Sequence, residues 1–97
     1  KALMRKSIPL ARRALGESNR LTLLMRKIYA DALFEDPDAT LDDLREAVAT
    51  LEETSRTARR VLGGAHPVAG SIEVALQASR AALAAREKTP GSSKGSN

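Results

Sequence analysis

A chain of 97 residues is long enough for one small domain with a modest core. The lack of cysteine excludes disulfide scaffolds and zinc–thiolate sites within the chain, and the only aromatic residues are Tyr29 and Phe34. The net charge of +4 arises from 16 basic and 12 acidic residues that are mixed along the chain, which is more typical of a solvated surface than of a nucleic-acid-binding stripe. Because the apolar residues are mostly Ala, Leu, Val and Ile, we predict an all-α fold.

Two helical segments are predicted in the first part of the chain. The first covers residues 2–15, where apolar residues recur at helical spacing, and Gly16 supplies its stop. Proline removes one backbone donor, so we expect either a kink or a helix start near Pro9. The second segment covers residues 21–34 and ends before Pro37, because the residue preceding proline avoids helical geometry.

Two further segments follow, over residues 40–62 and 67–86. Thr40 is a good N-cap, and Asp43 three positions later approximates a capping box. Pro67 occupies a preferred first helical position. Residues 88–97 read KTPGSSKGSN, which is typical of a linker. We therefore divide the chain into a helical domain over residues 1–87 and a flexible C-terminal tail over residues 88–97.

One six-residue motif occurs twice in the sequence with a single difference. Residues 11–16 read ARRALG and residues 58–63 read ARRVLG, 47 residues further along. Each copy closes one predicted helix and leads through a short loop into the next. A helix–loop–helix unit that recurs at such a period is typical of an α-solenoid.

The second junction also carries a family resemblance. The sequence LGGAHPVAGSI, Leu62–Ile72, resembles the Leu-Gly-x-x-His-Pro-x-Thr-Leu junction of kinesin light chain-type tetratricopeptide repeats. Residues 15–33 are a weaker copy, with Asn19-Arg20 in place of His-Pro, and residues 41–64 are similar to the second helix of that repeat. The resemblance implies antiparallel helical hairpins in a fragment of a right-handed solenoid of about four helices.

The repeat leaves the arrangement of the helices open. The chain begins at Lys1, and we interpret it as a piece of a longer protein or a processed product. It holds one complete central repeat flanked by two half-repeats, whereas solenoids usually need about three repeats for independent stability. Further repeats could precede Lys1, the four helices could close into a compact bundle, or contact with a partner could stabilise them.

No arrangement of residues typical of catalysis is found, so we expect neither an enzyme nor a bound cofactor or metal. His66 is the sole histidine, and its place before Pro67 favours a structural role as an N-cap and in loop packing. The acidic run over residues 36–46 lacks the order of a calcium-binding loop and is better explained by helix capping.

The candidate partner-binding residues are Arg26, Lys27, Tyr29, Arg59 and Arg60. The resemblance implies that the first helix of each repeat lines the binding surface, which is the basis for the first three. Arg59 and Arg60 lie in the last turn of the third helix, where positive charge complements the helix dipole. We also expect them to contact an acidic segment of a protein partner.

The predicted function is a non-enzymatic protein–protein interaction scaffold. Because the cysteine-free composition fits a reducing compartment, we expect the protein to be intracellular and cytoplasmic. One alternative is a structural or stabilising subunit of a larger assembly, including one at a membrane surface. The other is a basic helical nucleic-acid-binding protein, which the acidic third helix and the lack of stacking aromatics disfavour. No apolar run approaches the ~20 residues of a membrane span.

Overall fold

The computed structural model describes residues 2–16 and 19–88. It contains four α-helices, namely α1 (Ala2–Leu15), α2 (Arg20–Glu35), α3 (Leu41–Leu62) and α4 (Pro67–Lys88). The predicted all-α class is therefore confirmed for this part of the chain. Apart from Lys88, which ends α4, the predicted tail lies outside the described residues.

The first helix is continuous through its proline. Pro9 lies inside α1, which begins at Ala2, so the expected helix start near Pro9 is wrong. Proline costs the helix one backbone donor at this point. The helix persists because Met4 and Ile8 pack against the core on its inner side.

Both copies of the repeated word end a helix in the same way. Gly16 and Gly63 have φ angles of 92° and 93°, a left-handed conformation that glycine adopts without a Cβ clash. The amide of Gly16 donates to the carbonyl of Arg12 at 2.9 Å, and that of Gly63 donates to the carbonyl of Arg59 at 3.1 Å. The predicted glycine stop after the first helix is therefore present, and it recurs after the third.

The loops that follow also match at the same offset. The amides of Asn19 and His66 donate to the preceding glycine carbonyls at 3.3 and 3.1 Å. The Asn19 side-chain oxygen accepts from the Leu21 amide at 2.8 Å. At the second junction, Nδ1 of His66 accepts from the Val68 amide at 3.1 Å. Two different side chains thus make the same capping bond at equivalent positions.

The N-terminus of α3 carries the capping box that its sequence predicts. The Asp43 amide donates to Oγ1 of Thr40 at 3.0 Å, and the Thr40 amide donates to Oδ2 of Asp43 at 3.1 Å. These reciprocal bonds satisfy two backbone donors that a helix start leaves free. They fix the point at which the chain turns from α2 into α3.

The helices pack in sequence, and α3 contacts both α2 and α4. Helix α1 packs on α2, and α2 also contacts α4. Ion pairs follow an antiparallel register, since Arg26 and Glu53 join α2 to α3 while Arg80 and Glu52 join α4 to α3. The Cα trace is only 15 Å thick in its shortest direction, which corresponds to two layers of helices.

The core is built largely from small and aliphatic residues. Its buried members are Leu23, Tyr29, Ala30, Leu33, Ala47, Leu51, Ala58, Ala69, Ile72, Ala75 and Leu76. Thr54 and Ser55 of α3 are also buried. These two small polar residues therefore lie at a close contact between helices. Oγ1 of Thr54 donates to the carbonyl of Thr50 at 2.6 Å, which satisfies a hydroxyl that is out of reach of water.

Candidate functional site

A shallow groove runs between α2 and α4, the two helices that pack on the same side of α3. Its volume is about 400 Å³. The residues that line it come equally from both helices: Lys27, Asp31, Phe34, Glu35, Ser71, Val74, Ala75 and Ala78. We refer to these eight residues as the α2–α4 groove.

The floor of the groove is apolar and its rim is charged. Phe34 is half-buried and packs against the core, whereas the Val74 side chain stands 70% exposed. On the α2 rim, Nζ of Lys27 lies 2.7 Å from Oδ2 of Asp31. Such a surface can accept an apolar side chain and present polar contacts to the chain on either side of it.

A second polar cluster joins the first three helices. Nε of Arg5 donates to the Tyr29 hydroxyl at 3.0 Å, and that hydroxyl donates to the Glu46 carboxylate. The Arg5 guanidinium also lies 5.9 Å from the centre of the Tyr29 ring, within the range of a cation–π contact. Burial, together with the bond to Glu46, raises the pKa of Tyr29 above its usual value. Tyr29 therefore acts as a structural link between helices.

The Arg26 side chain is buried where α2 contacts α3. Its side chain is 9% exposed, and its Nη2 lies 3.1 Å from Oε1 of Glu53, which is 56% exposed. Within residues 2–16 and 19–88, neither Nη1 of Arg26 nor Oγ1 of Thr22 meets a protein hydrogen-bond partner. The guanidinium therefore stabilises the α2–α3 contact and is not accessible to a partner.

A third polar region lies along the outer side of the α3–α4 pair. Ser55 donates to Glu73 at 3.1 Å and Gln77 donates to the same carboxylate at 2.9 Å. These two bonds, first Gln77 and then Ser55, lower the pKa of Glu73, and the nearby Arg59 and Arg80 act in the same direction. The carboxylate therefore serves as the acceptor that ties α4 to α3.

The five sequence-predicted candidates are not brought together. Lys27 lies in the α2–α4 groove, while Arg26 and Tyr29 are buried and bond to Glu53 and Glu46 of α3. Arg59 and Arg60 are exposed at the end of α3, where Arg59 borders the α3–α4 surface. A single candidate, Lys27, therefore belongs to the groove.

Sequence reasoning missed Val74 as a groove residue. The apolar stripe of the fourth segment runs through Ile72, Ala75 and Leu76, and Val74 falls outside it. A single exposed apolar residue is common on protein surfaces, and it marks a contact site only as part of a contiguous patch, which the sequence of α4 alone does not reveal. Phe34, by contrast, follows the apolar spacing of α2, so its partial exposure could not be foreseen.

Within the described ranges, no group of three or more His, Cys, Asp and Glu side chains is arranged to hold a metal ion. None of the helices over these residues is long and apolar enough to cross a membrane. Comparison of the chain with protein-family models, with curated proteins and with solved structures gives no match.

Proposed function

We propose that this chain is a non-enzymatic protein-interaction module whose four helices form part of a tetratricopeptide-like array. Support for the array comes from the two helix junctions, which share their glycine conformation and their capping bonds at an offset of 47 residues. The contact between α2 and α4 adds to this support, because neighbouring first helices touch in such an array.

The observation that carries the proposed function is the α2–α4 groove. Val74 projects from α4 at 70% exposure beside the half-buried Phe34, and exposed apolar surface next to a polar rim is typical of protein contact sites. A partner segment lies along the groove with one apolar side chain over Phe34 and Ala78. Its polar groups contact the Lys27–Asp31 pair.

The test is selection of peptides from a random library against the 97-residue chain, followed by mapping of the bound peptide by amide chemical shifts. We expect shifts concentrated in residues 27–35 and 71–78, and loss of binding by at least tenfold in Val74→Glu. The matched control is Val61→Glu, since Val61 is an exposed valine that does not line the groove. Equal loss in both variants, or selected peptides that shift only residues elsewhere, would refute the proposal.

A further inference from the structure

Helices α1 and α4 are counterparts of the inner helices α3 and α2. At an offset of 47 residues, α1 corresponds to the second part of α3, and α2 corresponds to α4. The packing repeats as well, because α1 contacts α2 as α3 contacts α4. The surface that α2 presents to α3 therefore has a counterpart on the outer side of α4. The surface that α3 presents to α2 has its counterpart on the outer side of α1.

The charges at one pair of counterpart positions are exchanged. Inside the molecule, Nη2 of Arg26 on α2 lies 3.1 Å from Oε1 of Glu53 on α3. The residue 47 positions after Arg26 is Glu73 on α4, and the residue 47 positions before Glu53 is Lys6 on α1. Lys6 is exposed and Glu73 is partly exposed. If the outer sides of α1 and α4 met in the register of α2 and α3, these residues would form the same ion pair with its polarity reversed.

The sizes of the side chains are exchanged at a second pair of positions. The large Leu23 of α2 and the small Thr57 of α3 are both buried, at 0% and 8% exposure. Their counterparts are the small Gly70 of α4 and the large Leu10 of α1, which is 61% exposed. A Cβ placed on Gly70 would meet no atom within 4 Å, so this side of α4 has room for a larger side chain. The exchange conserves the volume that two helices can fill together.

Apolar surface matches at a third pair of positions. Inside the molecule, Phe34 of α2 and Ala75 of α4 line the same groove. The counterpart of Phe34 is Ala81 on the outer side of α4, and that of Ala75 is Ile28 on α2. Ala81 is exposed, and Ile28 is 53% exposed. A repeat of the α2–α4 contact between two molecules would therefore cover the apolar side chain of Ile28.

We propose that a second copy of this chain docks head to tail, with its α1 and α2 against the α4 of the first copy. This inference rests on the helical array proposed above and names a second copy as a partner of that array. The docked residues form a head face and a tail face, namely Lys6, Leu10 and Ile28 for the head face and Gly70, Glu73 and Ala81 for the tail face. Because the two faces differ, each docked pair keeps one free face of each kind and can extend into open oligomers.

The neighbouring charges are compatible with this register. The Glu73 carboxylate accepts from Ser55 and Gln77, and a carboxylate offers about four acceptor sites, so it can also accept from Lys6 of a second copy. Arg80 of α4 pairs with Glu52 of α3 at 3.1 Å. These bonds keep the groups beside the tail face engaged within one chain.

The remaining cations of α1 need not be buried by docking. Arg5 pairs with Glu46 within its own chain. Arg13 is the counterpart of Arg60, which stays exposed although α2 packs on α3. A second copy is favoured over an unrelated helix because charge, size and apolar surface all match in one register.

Sedimentation velocity of the 97-residue chain over a range of concentrations tests the proposal. We expect the average mass to rise with concentration and to pass that of a dimer. Ala81→Glu should block the tail face and Ile28→Glu the head face, so each variant alone should remain monomeric. An equimolar mixture should form a dimer that grows no further, because each variant keeps one intact face. The matched control is Ala49→Glu, at an exposed position of α3 outside both faces, which should associate like the parent chain.

The exchanged ion pair supplies a second test. Glu73→Lys and Lys6→Glu should each weaken association by at least about tenfold, because they place like charges opposite one another. The double variant Glu73→Lys/Lys6→Glu should recover most of the association. Far-ultraviolet circular dichroism establishes that every variant remains helical.

Three results would overturn the proposal. These are a parent chain that stays monomeric up to about 1 mM, a dimer that never grows, and a mixture of the two blocked variants that does not associate. Neither Ile28 nor Ala81 lines the α2–α4 groove, so peptide binding by the blocked variants tests the proposed function separately. Retained peptide binding without self-association refutes the head-to-tail contact alone, whereas self-association without peptide binding refutes the role of the groove alone.

Discussion

The hydroxyl of Tyr29 donates a hydrogen bond to the carboxylate of Glu46 and so joins α2 to α3. The same oxygen accepts from Arg5 of α1, so that three helices meet at one atom. We predict that Tyr29→Phe lowers the free energy of unfolding by about 1–2 kcal/mol, because both partners lose a hydrogen bond. Urea unfolding of Tyr29→Phe, Glu46→Ala and the double variant measures the coupling between the two residues. Strictly additive effects would show that the bond contributes nothing.

The same bond predicts a dependence on pH. Burial and the Glu46 bond raise the pKa of Tyr29, and the Arg5 bond opposes them. The folded chain therefore holds the phenolic proton more tightly than the unfolded chain, whose tyrosine titrates at about 10. The contribution of Tyr29 to stability is complete below that pH and is lost as the pH rises through the folded-state pKa. The stability difference between the parent chain and Tyr29→Phe should shrink as the pH rises above about 10, and a constant difference would contradict this account.

Substitution of the two partners of the Arg26–Glu53 pair should change the free energy of unfolding by different amounts. Arg26→Met should change the free energy of unfolding by less than about 1 kcal/mol, because methionine fills the site without a buried charge. Glu53→Ala should cost about 1–2 kcal/mol, since it leaves the guanidinium unpaired while the exposure of Glu53 already screens the pair. Thermal and urea unfolding of both variants measure this order. A larger loss of stability in Arg26→Met than in Glu53→Ala would contradict this account. It would mean that the packing and pairing of the guanidinium stabilise the fold by more than its desolvation costs.

Gly63 and Gly70 differ in backbone conformation, so we predict that alanine has opposite effects on the free energy of unfolding at the two positions. Gly63→Ala should destabilise the fold by about 1–2 kcal/mol, because alanine at a φ of 93° is strained. Gly70→Ala, inside α4, should stabilise it by about 0.5–1 kcal/mol. A Cβ at either position meets no atom within 4 Å, so the two variants differ in backbone conformation and not in crowding. Urea unfolding compares them, and the same sign for both would contradict the assigned helix stop.

The equivalence of the two junctions predicts which residue can replace His66. His66→Ala removes the acceptor for the Val68 amide and should cost about 1 kcal/mol. His66→Asn recreates the cap that Asn19 provides at the first junction, and it should retain stability within about 0.5 kcal/mol. Thermal unfolding of both variants decides the matter, and equal losses would imply that the histidine ring acts through packing alone.

Local signals in the sequence predicted much of the helical framework. Thr40 and Asp43 act through bonds to neighbouring residues, whereas Gly16 and Pro67 act through their own backbone conformation. The structure has the corresponding caps, stop and start where the local sequence indicates them. The buried residues Ala47, Leu51 and Ala58 of α3 also recur at the spacing of one helical face. Such features depend on residues within one helical turn, which is why a single sequence reveals them.

Contacts between distant segments were beyond the reach of sequence reasoning. Nη2 of Arg86 donates to the carbonyl of Ala39 at 2.7 Å and so fastens the end of α4 to the α2–α3 loop. Arg26 and Tyr29 follow the helical spacing of polar surface residues, yet neighbouring helices cover them. The α2–α4 groove depends on how two helices from different parts of the chain approach one another, and no short word in the sequence encodes that approach.

The shared geometry of the two junctions has a practical consequence for protein construction. Because the glycine stop and the capping bond recur 47 residues apart, we expect that a segment of that length, taken from one junction to the next, can be duplicated as a unit. Insertion of a second copy in tandem would add two helices through a connection that the chain already uses. The length of the molecule would then increase in fixed steps, each adding a further antiparallel pair of helices alongside the last.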